Sequence, residues 1–277
     1  MSFMALQRVA VRMLMDPSFA DAVFESPATA LAEVDLSDDE LHWLQSTDRR
    51  AWQLDPMRRT RTLQALMEEF PVSSALILQQ RGSADVLDAF FSSPYLHDAI
   101  QTRAYLTEAY DRYLGTLAVP DIGNHLRIEA ALARCRGQEP PVHLKDGDIH
   151  IASHHALLIL PGGSTERYLE HLNYLQRAAQ KHQGSVLAAM LTQGFRFPKT
   201  RALQTSQSTY LLVEPSPQGP ALGEVSESLG LLLAAASKPI SREALAKRAL
   251  SLGAEEHEAE ELLNELIHDG LLRTGPL

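Results

Sequence analysis

Hydrophobic positions in the last seventy or so residues change from strand-like to helical spacing. Apolar, β-prone residues fill 210–213, and apolar and polar residues alternate over 222–225, with turn-forming Pro and Gly between the two runs. Three helical stretches follow, and they begin after Ser226, Ser241 and Glu255. Two strands followed by three helices predict a winged-helix unit, whose ligand is usually a nucleic acid or a peptide.

The charge of the third helical stretch argues against nucleic acid. In a winged helix that reads DNA, this helix enters the major groove and its Lys and Arg side chains meet phosphates. Here it has no Lys or Arg, and seven carboxylates instead: Glu255, Glu256, Glu258, Glu260, Glu261, Glu265 and Asp269. These carboxylates either form a solvated face on a structural helix or face a peptide ligand. A peptide can add to an exposed strand by β-augmentation.

Composition indicates an ordinary globular protein. The 277 residues suffice for one large or two modest domains, and the net charge of −10 argues against a general nucleic-acid or anionic-membrane surface. No apolar run reaches the roughly 18 residues that span a bilayer, and the N-terminus lacks a signal-peptide pattern. We therefore expect a cytoplasmic protein without a membrane partner. The single cysteine, Cys135, excludes an internal disulfide and a thiolate-only metal cluster.

The first half of the chain, residues 1–137, has helical periodicity throughout. An apolar stripe over 6–14 is broken at Asp16-Pro17, a second short helix ends before Ser26-Pro27, and Ser37 caps a third. Further amphipathic stretches cover 63–77, 86–91, 96–114 and 122–133. This pattern predicts an N-terminal helical bundle.

The middle of the chain is predicted to join the C-terminal module in one domain, residues 138–277, with the module itself at about 205–277. Its strand-like run 157–160 can pair with 210–213 and supply a third strand, and a helix is expected from Thr165 to about Gln183. The predicted fold class is therefore α+β, mainly α. An N-terminal helical bundle precedes a winged-helix-like α+β domain with a small antiparallel sheet.

Chemistry-bearing residues crowd the stretch before the strand-like run: His143, Asp146, Asp148, His150, His154 and His155. His and Asp are ligands of non-heme iron and of zinc. On an extended chain, however, neighbouring side chains point to opposite faces, so His154 and His155 would need a bend to face one ion. We expect a polar strand edge and loop rather than a metal site. Gly162-Gly163-Ser164-Thr165 fits a phosphate-binding turn and an ordinary strand-to-helix turn equally well.

Short strings in the C-terminal module resemble a known family of peptide-binding elements. After the two strands come Ser-Glu-Ser-Leu at 226–229, Lys-Pro-Ile-Ser at 238–241 and Asp-Gly-Leu-Leu at 269–272. This order is similar to the PqqD-type precursor-peptide recognition element of ribosomal peptide biosynthesis. Such elements add the leader peptide as an extra strand between their last strand and third helix. The resemblance implies a leader-binding groove formed by Leu222, Gly223, Glu224, Val225, Leu262, Leu263 and Leu266.

The helical half carries a second resemblance. Its strings Asp16-Pro17, 36–40, Glu69-Phe70-Pro71, 106–114 and 127–133 are similar to partner proteins of multinuclear non-heme iron oxidases. The family includes the partners in methanobactin and 3-thiaglutamate (pearlin) biosynthesis. The resemblance implies a non-catalytic subunit without its own cofactor. It would form a heterodimer with an iron-dependent oxidase, which holds the iron, and present a precursor peptide for β-carbon excision at a C-terminal cysteine.

Two other classes of function remain open. A winged-helix transcription regulator would need a basic face, for which the chain offers Lys199, Arg242, Lys247 and Arg248. A metal-dependent enzyme would use the stretch from His143 to His155. No nucleophile elbow, zinc-protease helix or glycosidase carboxylate pair occurs, which favours a binding role. Salt-dependent DNA binding would support the regulator, and stoichiometric metal in the isolated chain would support the enzyme.

Overall fold

The fold is α+β and mainly helical, with two small antiparallel sheets. The structure is a computed structural model that describes residues 3–53, 55, 57–137, 144–145, 147–192, 194–200 and 202–275. Contacts divide the chain into two compact units. The first consists of Met1–Ile122 and Tyr174–Phe197, and the second of Gly123–Asn173 and Pro198–Leu277.

The described α-helices, in chain order, are α1 (Phe3–Met15), α2 (Pro17–Glu25), α3 (Pro27–Ala30), α4 (Asp38–Ser46), α5 (Met57–Glu69), α6 (Pro71–Arg81), α7 (Asp85–Asp88), α8 (Pro94–Thr102), α9 (Leu106–Gly115), α10 (Ile122–Arg136), α11 (Ser164–Gln180), α12 (Val186–Leu191), α13 (Glu227–Ala235), α14 (Arg242–Ser251) and α15 (Glu256–His268). Two 3₁₀ helices cover Arg49–Gln53 and Ala89–Ser92. The strands are β1 (Asp148–Ile151), β2 (Ala156–Gly162), β3 (Gln204–Glu214), β4 (Ala221–Val225), β5 (Ile240–Ser241) and β6 (Leu272–Thr274).

Local capping signals place the first helices where the sequence predicts them. α1 ends before Asp16-Pro17, and α2 ends before Ser26-Pro27. The Ser37 capping box is also confirmed. Its hydroxyl accepts a hydrogen bond from the Glu40 amide at 3.3 Å, while the Ser37 amide donates to the Glu40 carboxylate at 2.9 Å. No helix in the described ranges has both the length and the apolar character needed to cross a bilayer.

Two long predicted stretches are each divided into two helices. The stretch 63–77 is broken between α5 and α6, because Pro71 has no amide proton and fixes the backbone as a first helical residue. The stretch 96–114 is broken between α8 and α9, where Arg103 ends α8 in the left-handed conformation at φ 58°. Amphipathic periodicity continues across both breaks, so it does not reveal them.

The first unit has a core of apolar and aromatic side chains. One buried cluster joins α1, α2 and α4 and consists of Val9, Met13, Phe19, Ala20, Val23, Leu31, Leu44 and Trp52. A second group of rings comes from α9 and the segments before it. Phe90 makes an edge contact with Tyr110 at a centroid distance of 5.2 Å, and Phe70 contacts the same ring at 5.7 Å.

The second unit contains both sheets. One has the strand order β2-β3-β4 and the other β5-β1-β6, and every pairing is antiparallel. The predicted pairing of 157–160 with 210–213 is confirmed, since Leu157 lies opposite Leu212 and Ile159 lies opposite Tyr210. The predicted hairpin between β3 and β4 is present too. Its turn is held by the Ser216 hydroxyl, which donates to the Gly219 carbonyl at 2.6 Å.

The three predicted C-terminal helices are present as α13, α14 and α15. Ser226 and Ser241 cap α13 and α14 through their hydroxyls, and Gly270 follows α15 at φ 75°. The three helices share one buried core with strands β1, β3 and β6. Its buried residues are Ile149, Ile151, Leu212, Leu232, Leu233, Ala236, Leu245, Ala249, Ala259, Leu263, Leu266 and Leu272. The short strands β5 and β6 were not predicted. Each pairs with β1, which comes from far earlier in the chain.

The division into domains at residues 137 and 138 stays a prediction. The compact units group the chain in another way, because nearly all of α10 belongs to the second unit and α12 to the first. α11 contributes residues to both.

Candidate functional site

β4 lies at one end of the sheet β2-β3-β4. It pairs with β3 along one side, where Val225 is opposite Tyr210 and Gly223 is opposite Leu212, and no other described strand pairs with it. The free side of an end strand presents backbone N–H and C=O groups that another extended segment can pair with. β4 therefore has the backbone geometry required for β-augmentation.

The predicted groove residues on β4 lie at the protein surface to different degrees. Glu224 is exposed, while Leu222, Gly223 and Val225 are half-buried. Val225 packs against the core shared by the three C-terminal helices. Gly223 has open space where a side chain would stand, since no atom lies within 4 Å of an added Cβ. The strand thus has a partly apolar surface beside its free edge, with no side chain at Gly223 to obstruct a ligand.

The predicted groove residues on α15 separate into two groups. Leu263 and Leu266 are 0% and 6% exposed and lie inside the helix core, whereas Leu262 is half-buried and packs on its margin. Val225 and Leu262 therefore border the same apolar cluster. In this conformation Leu263 and Leu266 support that cluster from within and present little surface to a ligand.

The exposed face of α15 is strongly acidic. Its five carboxylates, together with Glu255 and Asp269 at its two ends, are all solvent-exposed. Glu260 accepts a hydrogen bond from the Arg242 guanidinium at 2.8 Å, and Arg242 also donates to the Asn264 side chain at 2.7 Å. The remaining negative charge gives this side of the module a potential that attracts basic ligands and repels phosphate backbones.

The histidine stretch bends between β1 and β2 and is not fully extended. His143 and Asp146 lie outside the described residues. Residues 153–154 form a turn, closed by a hydrogen bond from the His155 amide to the Ala152 carbonyl at 2.9 Å, and both His154 and His155 line one pocket. Within the described ranges, no three His, Cys, Asp or Glu side chains are grouped as metal ligands.

The turn at Gly162-Gly163-Ser164-Thr165 connects β2 to α11. Gly163 has a φ of 82°, and the Ser164 hydroxyl donates to the Pro161 carbonyl at 2.6 Å. The hydroxyl is thus used within the turn itself. This arrangement is that of a strand-to-helix connection closed by its own serine.

A buried histidine pair in the second unit was not predicted from the sequence. His125 Nε2 of α10 and His171 Nδ1 of α11 are 3.0 Å apart, and the two residues are only 1% and 6% exposed. Tyr168 lies beside them, and burial together with the Glu129 carboxylate raises the pKa of its hydroxyl strongly. The sequence signal that could have predicted this pair is a histidine at an otherwise apolar position in each of the two helices.

The chain matches no protein-family model and no curated protein.

Proposed function

We propose that this protein is a non-catalytic partner subunit that binds the leader of a ribosomal precursor peptide along the free edge of β4. The observation that carries this proposal is the position of β4 at the end of a three-stranded sheet that is followed directly by α13, α14 and α15. That order of elements supports the proposal, because it is the order that the resemblance to a winged-helix-like recognition element implies. Backbone pairing at β4 would provide affinity. The half-buried apolar side chains Val225 and Leu262 would give selectivity for apolar side chains of the leader.

The charge distribution supports a leader with basic side chains. The carboxylates of α15 are exposed and close in sequence, so they attract cationic groups most strongly at low salt. A leader that carries Lys or Arg beside its strand-forming segment would therefore bind faster and more tightly than a neutral one.

The role of the partner subunit is delivery. In this proposal the helical first half docks onto an iron-dependent oxidase of the multinuclear non-heme type, and the iron belongs to that partner in the heterodimer. Tethering the leader makes delivery of the reactive residue intramolecular, so even modest leader affinity supports efficient turnover. We propose β-carbon excision from a C-terminal cysteine as the partner's reaction.

The test is co-expression of the full chain with an iron oxidase encoded beside it, followed by affinity purification and metal analysis of the complex and of the chain alone. A stable heterodimer with iron only in the oxidase is the expected result. Adding the neighbouring precursor peptide should then protect the amides of β4 from hydrogen exchange. Absence of a complex, or stoichiometric metal in the isolated chain, would overturn the proposal.

A further inference from the structure

The second unit contains a pocket of about 460 Å³, bounded by α10, the β1–β2 connection, β2 and α13. Its charged and titratable side chains include Arg127, Arg134, His150, His154 and His155. Among the described residues that line it, there is no Asp or Glu. A pocket lining with basic but no acidic described residues is unusual in a chain whose net charge is −10. The volume is in the usual range for sites that hold small ligands.

The two arginines lie on one face of α10. They are separated by seven residues, about two helical turns, and Ala131 lies between them on the pocket wall. Both arginines are exposed, and neither makes a hydrogen bond or an ion pair with any described residue. A guanidinium without a partner among the described residues has its donors available for a carboxylate or phosphate, which it binds in a bidentate manner.

His155 provides a second, independent observation. Its Nδ1 atom is buried and has no hydrogen-bond partner among the described residues. Buried polar atoms are normally satisfied, so an unpaired nitrogen in a residue that lines the pocket indicates a missing donor or acceptor. The bend at 153–154 brings this ring to the same pocket as the two arginines.

We propose that this pocket binds an oxyanionic ligand with a small apolar portion. Arg127 and Arg134 would hold its carboxylate or phosphate group, His155 would supply one polar contact, and Leu157 and Ile159 would contact the apolar portion. The ligand could be a free metabolite or an acidic segment of a peptide, because both present the same oxyanion chemistry. The site is separate from the free edge of β4, and the proposal holds whether or not β4 binds a leader.

The test uses the full chain and isothermal titration at low salt with three probes: citrate, pyrophosphate and a capped Glu-Leu-Glu peptide. We expect at least one probe to bind, with an affinity that falls on the order of tenfold or more in the Arg127→Gln/Arg134→Gln double variant. Binding of the peptide alone would assign an acidic peptide segment, and binding of citrate or pyrophosphate would assign a free anion.

Arg248→Gln provides the matched control, because Arg248 is an exposed arginine on α14 that does not line the pocket. The double variant and Arg248→Gln change only exposed side chains, so both should leave the urea midpoint of unfolding unchanged. A Leu222→Asp variant, which alters only the β4 surface, should bind the probes as the unaltered chain does. The proposal is overturned if no probe binds, if the double variant binds as tightly as the unaltered chain, or if Arg248→Gln weakens binding equally.

Discussion

Gly230 of α13 lies against the ring of Tyr210 on β3. A Cβ atom added to residue 230 would stand 2.6 Å from Tyr210 Cβ and closer still to the ring atoms Cγ and Cδ1. Tyr210 is itself buried, between Ile159 of β2 and Val225 of β4 in the sheet. The first helix of the C-terminal module therefore approaches the central strand of the sheet at a point where only glycine fits.

We expect Gly230→Ala to destabilise the protein by about 1–3 kcal/mol, since overpacking at Tyr210 outweighs the better helix propensity of alanine. Urea unfolding of the full chain measures the change. Gly123→Ala in α10 is the control, because an added Cβ there meets no atom within 4 Å. That variant should be as stable as the parent or slightly more so. Equal losses in both variants would contradict the close approach of α13 to β3.

A charged residue at the β4 surface should weaken leader binding. Leu222 is half-buried beside the free strand edge. We expect Leu222→Asp to reduce leader affinity by about tenfold or more, because a carboxylate would be desolvated in the bound state. Fluorescence anisotropy with the labelled precursor peptide measures the affinity. Leu250→Asp is the matched control, since Leu250 is a 41% exposed leucine on α14, and it should leave the affinity unchanged.

Asp16 should make the stability of the first unit sensitive to acid. Its carboxylate accepts hydrogen bonds from the Phe19 amide at 3.3 Å and the Ser92 hydroxyl at 3.1 Å, and it lies 3.6 Å from His97 Nε2. Burial alone would raise its pKa, but the contacts from His97, Phe19 and Ser92 outweigh burial and lower the pKa below its ordinary value of 3.8. The stabilisation is therefore complete above pH 3.8 and is lost as the pH falls through the lower value in the folded state.

Asp16→Ala should cost about 1–3 kcal/mol at neutral pH, from the lost helix cap and the lost hydrogen bond with the Ser92 hydroxyl. The difference from the parent should shrink as the pH is lowered into the acid range. Urea unfolding across pH 2.5–7 measures it, a range chosen to bracket the carboxylate pKa values. Asp39→Ala, at an exposed position in the first turn of α4, should show a much smaller loss. A pH-independent loss in Asp16→Ala would contradict the role of the charge.

His155 should make the second unit less stable in mild acid. Burial lowers its pKa, the charges of His154 and Arg273 lower it further, and Glu214 opposes them. Since the unfolded chain then binds more protons than the folded one, stability decreases as the pH falls below the ordinary histidine value of 6.5.

We expect His155→Gln to reduce the loss of stability between pH 7 and pH 5, the interval in which an ordinary histidine titrates. Thermal unfolding at a series of pH values measures it, and the histidine resonances in an NMR titration report the pKa directly. His257→Gln is the control, because the His257 side chain is 73% exposed. An ordinary or raised pKa for His155 would contradict the burial of its ring.

The sequence determined the elements whose signals are local. Ser37 with Glu40, Pro17, Ser226 and Ser241 mark helix starts because each acts on backbone groups within a few residues. The pairing of 157–160 with 210–213 also followed from the sequence, since both runs are apolar and β-prone, but the register that places Leu157 opposite Leu212 is seen only in the structure. The acidic character of α15 can be read directly from the sequence.

Only the tertiary structure decided which distant segments meet. β5 and β6 contain two and three residues, too few for a periodic signal, and they exist because β1 pairs with both. The apolar stripe of α15 did not reveal that Leu263 and Leu266 face the chain's own core. The meeting of Arg127 and Arg134 with His155 likewise depends on a bend and on long-range packing. Periodicity specifies which face of an element is apolar, but what covers that face is decided by the burial that the whole chain achieves together.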